Sequence, residues 1–129
     1  MSVTCEDIVD IADKCLSFNS EVGDRSAISR AYYASYHFVY PVLENGPTDS
    51  HQGLIDYLQG DAIRGGEKYN AMDLKAISFM LSNMKSKRKV ADYYLDQNVK
   101  RIDAEVAVMT SRKLLAKVHQ MISPDIAQK

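Results

Sequence analysis

The stretch Ser29-Arg30-Ala31-Tyr32-Tyr33-Ala34-Ser35-Tyr36-His37 determines how the rest of the chain is interpreted. It lies within a run from Asp24 to Leu43 that contains no glycine and a single proline, Pro41, near its end. Such a composition predicts a helix over most of the run.

On this helix, Arg30 and His37 are seven residues apart, about two turns, and therefore project from nearly the same face. Ala27 and Ala34 are expected on that face too, so little bulk would surround the two polar side chains. A permanent cation beside a histidine, whose unperturbed pKa is about 6.5, is an odd use of core space. The pair suits a phosphate site better.

A second face of the same helix is apolar and is expected to contact the core. A core-facing side and a separate Arg/His side imply that the helix has two different neighbours. The predicted core stripe consists of Ile28, Tyr32, Ser35, Val39 and Leu43.

The remaining segments also have helical periodicity, and no segment shows convincing strand alternation. We therefore predict an all-α fold, an antiparallel bundle of four long helices plus one short helix, in a single domain over residues 1–129. The predicted spans are Cys5 to about Phe18 after a Thr4 cap, Asp24 to Leu43, about His51 to Leu58, a long helix from an Asn70 cap to about Leu95, and about Val99 to Ile122.

Composition narrows the class of protein. The chain has 129 residues, 46% hydrophobic and 26% charged, which is typical of one soluble globular domain. Its 16 basic and 17 acidic residues give a net charge of -1, so nucleic-acid binding would have to come from a local patch. Cys5 and Cys15 would lie about 15 Å apart along one helix, too far for a disulfide.

Free thiols are typical of a reducing cytosol, and no apolar stretch is long enough for a membrane span. We therefore predict a cytoplasmic protein that does not associate with membranes. Several catalytic and cofactor motifs are missing: there is no His-Glu-x-x-His, no Cys-x-x-Cys, no P-loop after Gly65-Gly66 and no nucleophile elbow. The sequence predicts neither a metal site nor a cofactor.

Two motifs resemble the HEPN family, small helical domains common in prokaryotic toxin–antitoxin, CRISPR-linked and phage-defence systems. The run from Arg25 to His37 is similar to the family's central helix, whose hallmark is an Arg followed after four to six residues by a His; here six residues intervene. The run Arg88-Lys89-Val90-Ala91-Asp92-Tyr93 is similar to the family's R-x-x-A-D-Y segment, and His51 resembles a frequent family position. The resemblance covers most of the chain, from the first predicted helix to the last.

The resemblance implies a metal-independent endoribonuclease, a toxin or phage-defence effector that acts as a homodimer through the helix carrying Arg30 and His37. Arg30 would bind the scissile phosphate and stabilise its developing charge. His37 would deprotonate the RNA 2′-hydroxyl or protonate the leaving 5′-oxygen, which leaves a 2′,3′-cyclic phosphate. An antitoxin, commonly nucleotidyltransferase-like, is the partner that the family suggests.

Helix geometry supports the pairing independently. Along one helix, Arg30 and His37 are about 10 Å apart at the backbone, far for holding one phosphate together. A symmetric neighbour brings a second Arg/His set within range, and an isologous interface does so automatically.

Four other residues are candidates for substrate binding. Tyr33 and Ser26 lie one turn after and one turn before Arg30, Tyr40 lies three residues after His37, and His51 follows a loop. Tyr32 and Tyr36 are expected to be packing aromatics.

The densest positive run comprises Lys85, Lys87, Arg88 and Lys89. It is either a solvated helix face or a surface that follows an RNA backbone or meets an acidic partner. Arg88 is expected to differ from the other three, because the resemblance to the R-x-x-A-D-Y segment implies a structural pair with Asp92 one turn later.

The sequence also permits three other interpretations of the chain. Arg30 can pair with an acid from another helix, with His37 an ordinary half-buried histidine. The chain can instead be a non-catalytic HEPN module that binds a nucleotide or a protein partner, since Ala31 stands where nuclease members often carry a polar residue. A plain helical scaffold, monomeric and without a site, is the third alternative.

Overall fold

The computed structural model describes residues 2–123, which form five α-helices and, within that range, no strand. The predicted all-helical class is confirmed. The α-helices are α1 (Cys5–Cys15), α2 (Glu21–Val39), α3 (His51–Gln59), α4 (Ala71–Tyr93) and α5 (Arg101–Ile122); short 3-10 turns follow α1 and α2 at Leu16–Phe18 and Tyr40–Val42, and a π-type turn spans Ala62–Gly66.

The helix starts follow from local capping. Thr4 is the predicted cap of α1, and with Asp7 it forms a reciprocal capping box in which both hydrogen bonds are 3.0 Å long. The start of α2 was predicted three residues too late, because the Ser20 hydroxyl accepts the Gly23 amide and caps the helix there. Gly23 is required in that first turn, since a Cβ there would lie 2.5 Å from the Cys15 carbonyl oxygen.

Two other boundaries differ from the prediction, and the helical turn Ala62–Gly66 is present in addition to the five predicted helices. The regular part of α2 ends at Val39 rather than Leu43, because Pro41 has no amide hydrogen and sits in a 3-10 turn. The segment between α3 and α4 forms the π-type turn, and Gly65 adopts a positive φ of 108° there. The long fourth helix ends at Tyr93, slightly earlier than predicted.

The central helix is α2, which packs against α1, α4 and α5. Its contacts with α4 run in opposite sequence directions: Ser29 bonds Asp92, whereas Ser35, later in α2, contacts Met84, earlier in α4. The two helices are therefore antiparallel.

Contacts between α2 and α5 run in the same direction. The Asp24 carboxylate meets Arg101 at 3.2 Å, and the Phe38 ring meets His119 at 5.1 Å. Consecutive long helices alternate in direction while α2 and α5 run parallel, an arrangement compatible with a helical bundle.

Burial of α2 is more complete than the sequence suggested. Ala27 and Ala34 were expected beside Arg30 and His37, but both are fully buried and belong to the core. That expectation was wrong because three neighbouring helices cover most of the circumference of α2. Of the predicted core stripe, Leu43 is only partly buried, and the other four residues are buried.

Polar groups inside the core are paired with one another. The Ser35 and Ser111 hydroxyl oxygens lie 2.7 Å apart, and they lie 2.9 and 3.0 Å from the Ala31 carbonyl oxygen, so one hydroxyl can donate to the carbonyl and the other to its neighbour. These contacts join α2 to α5 and satisfy the two buried hydroxyls.

Arg25 of α2 caps the C-terminal end of α4. The Arg25 side chain is only 11% exposed. Its Nη1 donates to the carbonyls of Val90, Ala91 and Tyr94 at 3.1, 3.0 and 3.3 Å, and its Nη2 donates to Gln97. Its Nε bonds the Glu21 carboxylate at 2.9 Å. One guanidinium thus satisfies carbonyls that a helix end leaves without partners.

Both cysteines are free, in agreement with the prediction of no disulfide. Among residues 2–123, no helix has the length and the apolar character needed to cross a membrane.

The substitution Arg25→Lys tests how much the capping of α4 by Arg25 contributes to stability. We expect it to lower the free energy of unfolding by about 1.5–3 kcal/mol, because one ammonium group cannot reach carbonyls that a planar guanidinium spans. Urea unfolding followed by circular dichroism measures the change.

Arg112→Lys is the matched control. Arg112 is exposed and contacts Asp10 and Asp13 at 3.2 and 3.3 Å, so its replacement should change stability by less than about 1 kcal/mol. Equal effects of the two substitutions would contradict a special role for Arg25.

Candidate functional site

A cavity of about 180 Å³ lies where α2, the start of α3 and α4 meet. Its lining is dominated by aromatic and cationic side chains. The lining residues are Ser29, Arg30, Tyr32, Tyr33, His37, His51 and Arg88.

The residues from α2 form a continuous stack. The Arg30 guanidinium carbon lies 4.7 Å from the centre of the Tyr33 ring, and that ring lies 4.2 Å from the His37 ring. Spacing of three and four residues places the three side chains along one helix face. The stack fills the distance between Arg30 and His37, and both line the same cavity.

The charge on Arg30 is not neutralised within residues 2–123. Arg30 is exposed there, and it forms no ion pair or hydrogen bond with any side chain of that range. The alternative in which an acid from another helix pairs with Arg30 finds no partner in the same range. A free guanidinium at the mouth of a cavity favours an anionic ligand.

His51 enters the cavity as the first residue of α3, directly after the Ser50 cap. Its Nδ1 lies 2.7 Å from the Tyr32 hydroxyl oxygen, and its ring stacks on Tyr36 with 3.8 Å between centres and 15° between planes. Two aromatic residues of α2 therefore fix the position of the His51 ring.

The surroundings of His51 favour its neutral form. Burial lowers its pKa below the ordinary 6.5, and the positive charges of Arg88, His37 and Lys85 lower it further. The same burial, with the neighbouring Tyr36, raises the pKa of the Tyr32 hydroxyl, so this group also stays protonated.

Arg88 reaches the cavity from α4 and forms the predicted pair with Asp92, at 2.8 Å. Asp92 also accepts the Ser29 hydroxyl at 3.1 Å, which ties the pair to α2. Arg88 is thereby balanced while Arg30 is not, so the cavity retains a net positive charge.

The loop that leads into His51 is fastened by Glu67. Its two carboxylate oxygens accept the amides of Glu44 and Asn45, each at 2.9 Å, and the Tyr57 hydroxyl at 2.6 Å. Burial raises the pKa of the Glu67 carboxyl, but these hydrogen bonds outweigh burial and lower its pKa below the ordinary 4.5.

The structure brings together some of the predicted site residues and not others. Tyr33 and His51 line the cavity with Arg30 and His37, whereas Ser26 and Tyr40 do not. The Tyr40 ring packs edge-on against His37 at 5.6 Å, so it touches the site from outside.

Sequence reasoning assigned Tyr32 and Tyr36 to packing, and both are buried. It did not anticipate that these two rings hold His51, because the path of residues 43–50, which lead from the end of α2 to His51, is not set by local sequence signals. It also missed Ser29, although the serine directly precedes Arg30 in the motif.

Only one member of the basic run belongs to the cavity. Lys85 donates to the Gln52 side chain at 2.9 Å, Lys87 lies 3.6 Å from Asp103, and Lys89 is exposed. In residues 2–123, no group of three or more histidine, cysteine or acidic side chains is arranged to hold a metal ion.

A titration tests the environment of His51. The fold favours the neutral ring, so its contribution to stability is complete above the ordinary value of 6.5 and is lost as pH falls through the lowered pKa. We expect the ring protons of His51, followed by NMR, to titrate below pH 6.5, and Arg88→Gln to raise that midpoint.

Arg112→Gln, on the α1 side of the bundle, should leave the midpoint unchanged. A His51 midpoint at or above 6.5 in the unmodified protein would show that the packing around the ring has been misjudged.

No family model matches the chain, no curated protein matches its sequence, and no solved structure matches its fold. The function is therefore inferred from the cavity and from the two motifs.

Proposed function

We propose that the protein is a metal-independent endoribonuclease of the HEPN type, a toxin or phage-defence effector that acts as a homodimer. One observation carries the proposal: Arg30, without an acidic partner in residues 2–123, shares a small cavity with two imidazoles. A cation for a phosphate and imidazoles for proton transfer are the groups that RNA cleavage requires.

Arg30 would bind the scissile phosphate. Its guanidinium offers several donors in a fixed plane and keeps its charge at any physiological pH. Packing against the Tyr33 ring holds the guanidinium plane while leaving its donors available. The developing negative charge of the pentacoordinate phosphate would be stabilised there.

His37 would transfer a proton to or from the reacting oxygens. The Tyr33 and Tyr36 rings contact His37 at 4.2 and 5.4 Å and restrict its orientation. Tyr33 is 41% exposed, so its ring is also available to stack on a nucleobase. Attack by the 2′-hydroxyl would leave a 2′,3′-cyclic phosphate, so DNA would not be cleaved.

Dimerisation would occur through the exposed face of α2. Val22, Ser26, Arg30 and Tyr33 follow one another at helical spacing, and Val22 is 75% exposed. Tyr93, at the end of α4, is 63% exposed and lies 5.2 Å from the Arg88 guanidinium. An isologous contact over this face would cover these apolar groups and bring the two Arg30 residues together.

A cleavage assay in excess EDTA tests the activity. Purified protein should cleave single-stranded RNA and leave cyclic-phosphate ends, and His37→Ala and Arg30→Ala should each lower the rate by at least about 100-fold. His119→Ala and Arg64→Ala are matched controls, since both residues are exposed, form ion pairs with Glu6 and Asp61 and do not line the cavity.

Loss of cleavage in EDTA would contradict the metal-independent mechanism. A folded protein that cleaves no RNA but binds a nucleotide or a protein partner would instead favour the non-catalytic module. Expression without an antitoxin, which is nucleotidyltransferase-like in the family, should inhibit growth, and His37→Ala or Arg30→Ala should abolish that inhibition.

Size-exclusion chromatography with light scattering tests the dimer. We expect the unmodified protein to be a dimer and Val22→Asp to weaken association and cleavage together, because a carboxylate would be desolvated at the interface. Val3→Asp is the control, since Val3 is 70% exposed and lies outside α2. A fully active monomer would contradict the composite site.

A further inference from the structure

We infer that His51 is the general base of the reaction, oriented by Tyr32, and that His37 is the general acid. This inference rests on the proposed ribonuclease function and assigns the proton transfers to two imidazoles of one protomer. In this arrangement the dimer contributes phosphate binding rather than the second proton-transfer group.

The two ring nitrogens of His51 have different hydrogen-bond surroundings. Nδ1 is engaged with the Tyr32 hydroxyl oxygen at 2.7 Å. Nε2 has no hydrogen-bond partner among residues 2–123, while the ring lines the cavity and remains accessible to solvent. A histidine that acts as a general base commonly has one ring nitrogen held by a hydrogen bond, as Nδ1 is here, while the other nitrogen is free to accept a proton.

The inference requires one particular tautomer. If Nδ1 carries the proton and donates it to the Tyr32 oxygen, Nε2 holds a free lone pair on a ring that lines the cavity, and the Tyr32 hydroxyl keeps its own proton for water or substrate in that cavity. Stacking on Tyr36 at 3.8 Å keeps the ring from rotating away from this position.

The surroundings of the ring favour its neutral form. Partial burial and the positive charges on α4 and α2 lower the pKa of His51, so at a given pH more of the ring has a free lone pair than in an ordinary histidine. The titratable or charged groups around the ring are Tyr32, Tyr36 and His37 on α2, Lys85 and Arg88 on α4, and Asp49 in the preceding loop.

The proton balance of the reaction then closes within one site. The 2′-hydroxyl gives its proton to Nε2 of His51 as its oxygen bonds to phosphorus. The bond from phosphorus to the 5′-oxygen breaks, and that oxygen takes a proton from the protonated His37. Exchange with water afterwards removes the proton from His51 and returns one to His37.

Two measurements test this assignment. The first is the pH profile of kcat/KM on a short RNA, in which the acid limb reports the base of the free enzyme. His51→Ala should lower kcat/KM by about 100-fold or more. Lys85→Gln, which removes a neighbouring positive charge, should move the acid limb to higher pH and retain activity on the alkaline side.

The second measurement is independent of activity. In a ¹⁵N NMR spectrum of the neutral ring, we expect the proton of His51 on Nδ1, and we expect Tyr32→Phe to change the proportions of the two tautomers. A proton found on Nε2 would overturn the inference, because Nε2 would then have no lone pair to accept the substrate proton.

The failures of the two proposals are distinguishable. If His37→Ala is inactive but His51→Ala stays within threefold of the unmodified enzyme, the ribonuclease stands and the assignment of His51 is wrong. If Lys85→Gln does not change the pH of the acid limb of the kcat/KM profile, that result also argues against His51 as the general base. If the unmodified protein cleaves no RNA, both proposals fall together.

Discussion

The structure depends on one buried cation. Arg25 takes up the carbonyls at the end of α4 and thereby fixes α2 and α4 in register. One turn later the same register brings Ser29 to Asp92, and Asp92 in turn holds Arg88 at the cavity. The two motifs are thus joined physically, since Arg25 opens the first and the carbonyls that it binds belong to or follow the second.

The charge pattern of the cavity follows from this relative position of α2 and α4. Arg88 is balanced by Asp92, and the two histidines can each lose a proton, so Arg30 is the permanent uncompensated charge among the lining side chains. Aromatic rings fill the space between these groups and limit how far each can move. The site therefore combines a fixed positive charge with imidazoles held in set positions, in a protein whose overall charge is close to zero.

Much of the fold could be predicted because helical periodicity and caps such as Thr4 and Asn70 are local signals. The burial of Ala27 and Ala34 could not, since it depends on which neighbouring helices cover α2. The role of Arg25 was equally hidden, because its carbonyl partners lie 65 or more residues away in sequence. In the site, Arg30 and His37 share a helix and were found from spacing, whereas the contact between Tyr32 and His51 needs the path of a loop.

That loop has a consequence for how the protein tolerates change. A single carboxylate, Glu67, holds two consecutive amides at Glu44 and Asn45, and only a few residues separate this clamp from His51. The connection is short, so a change in its length alters where His51 is placed more directly than a change in its composition does. Substitutions at its exposed positions should be accepted readily, whereas an insertion or deletion of one residue is expected to displace the imidazole from Tyr32.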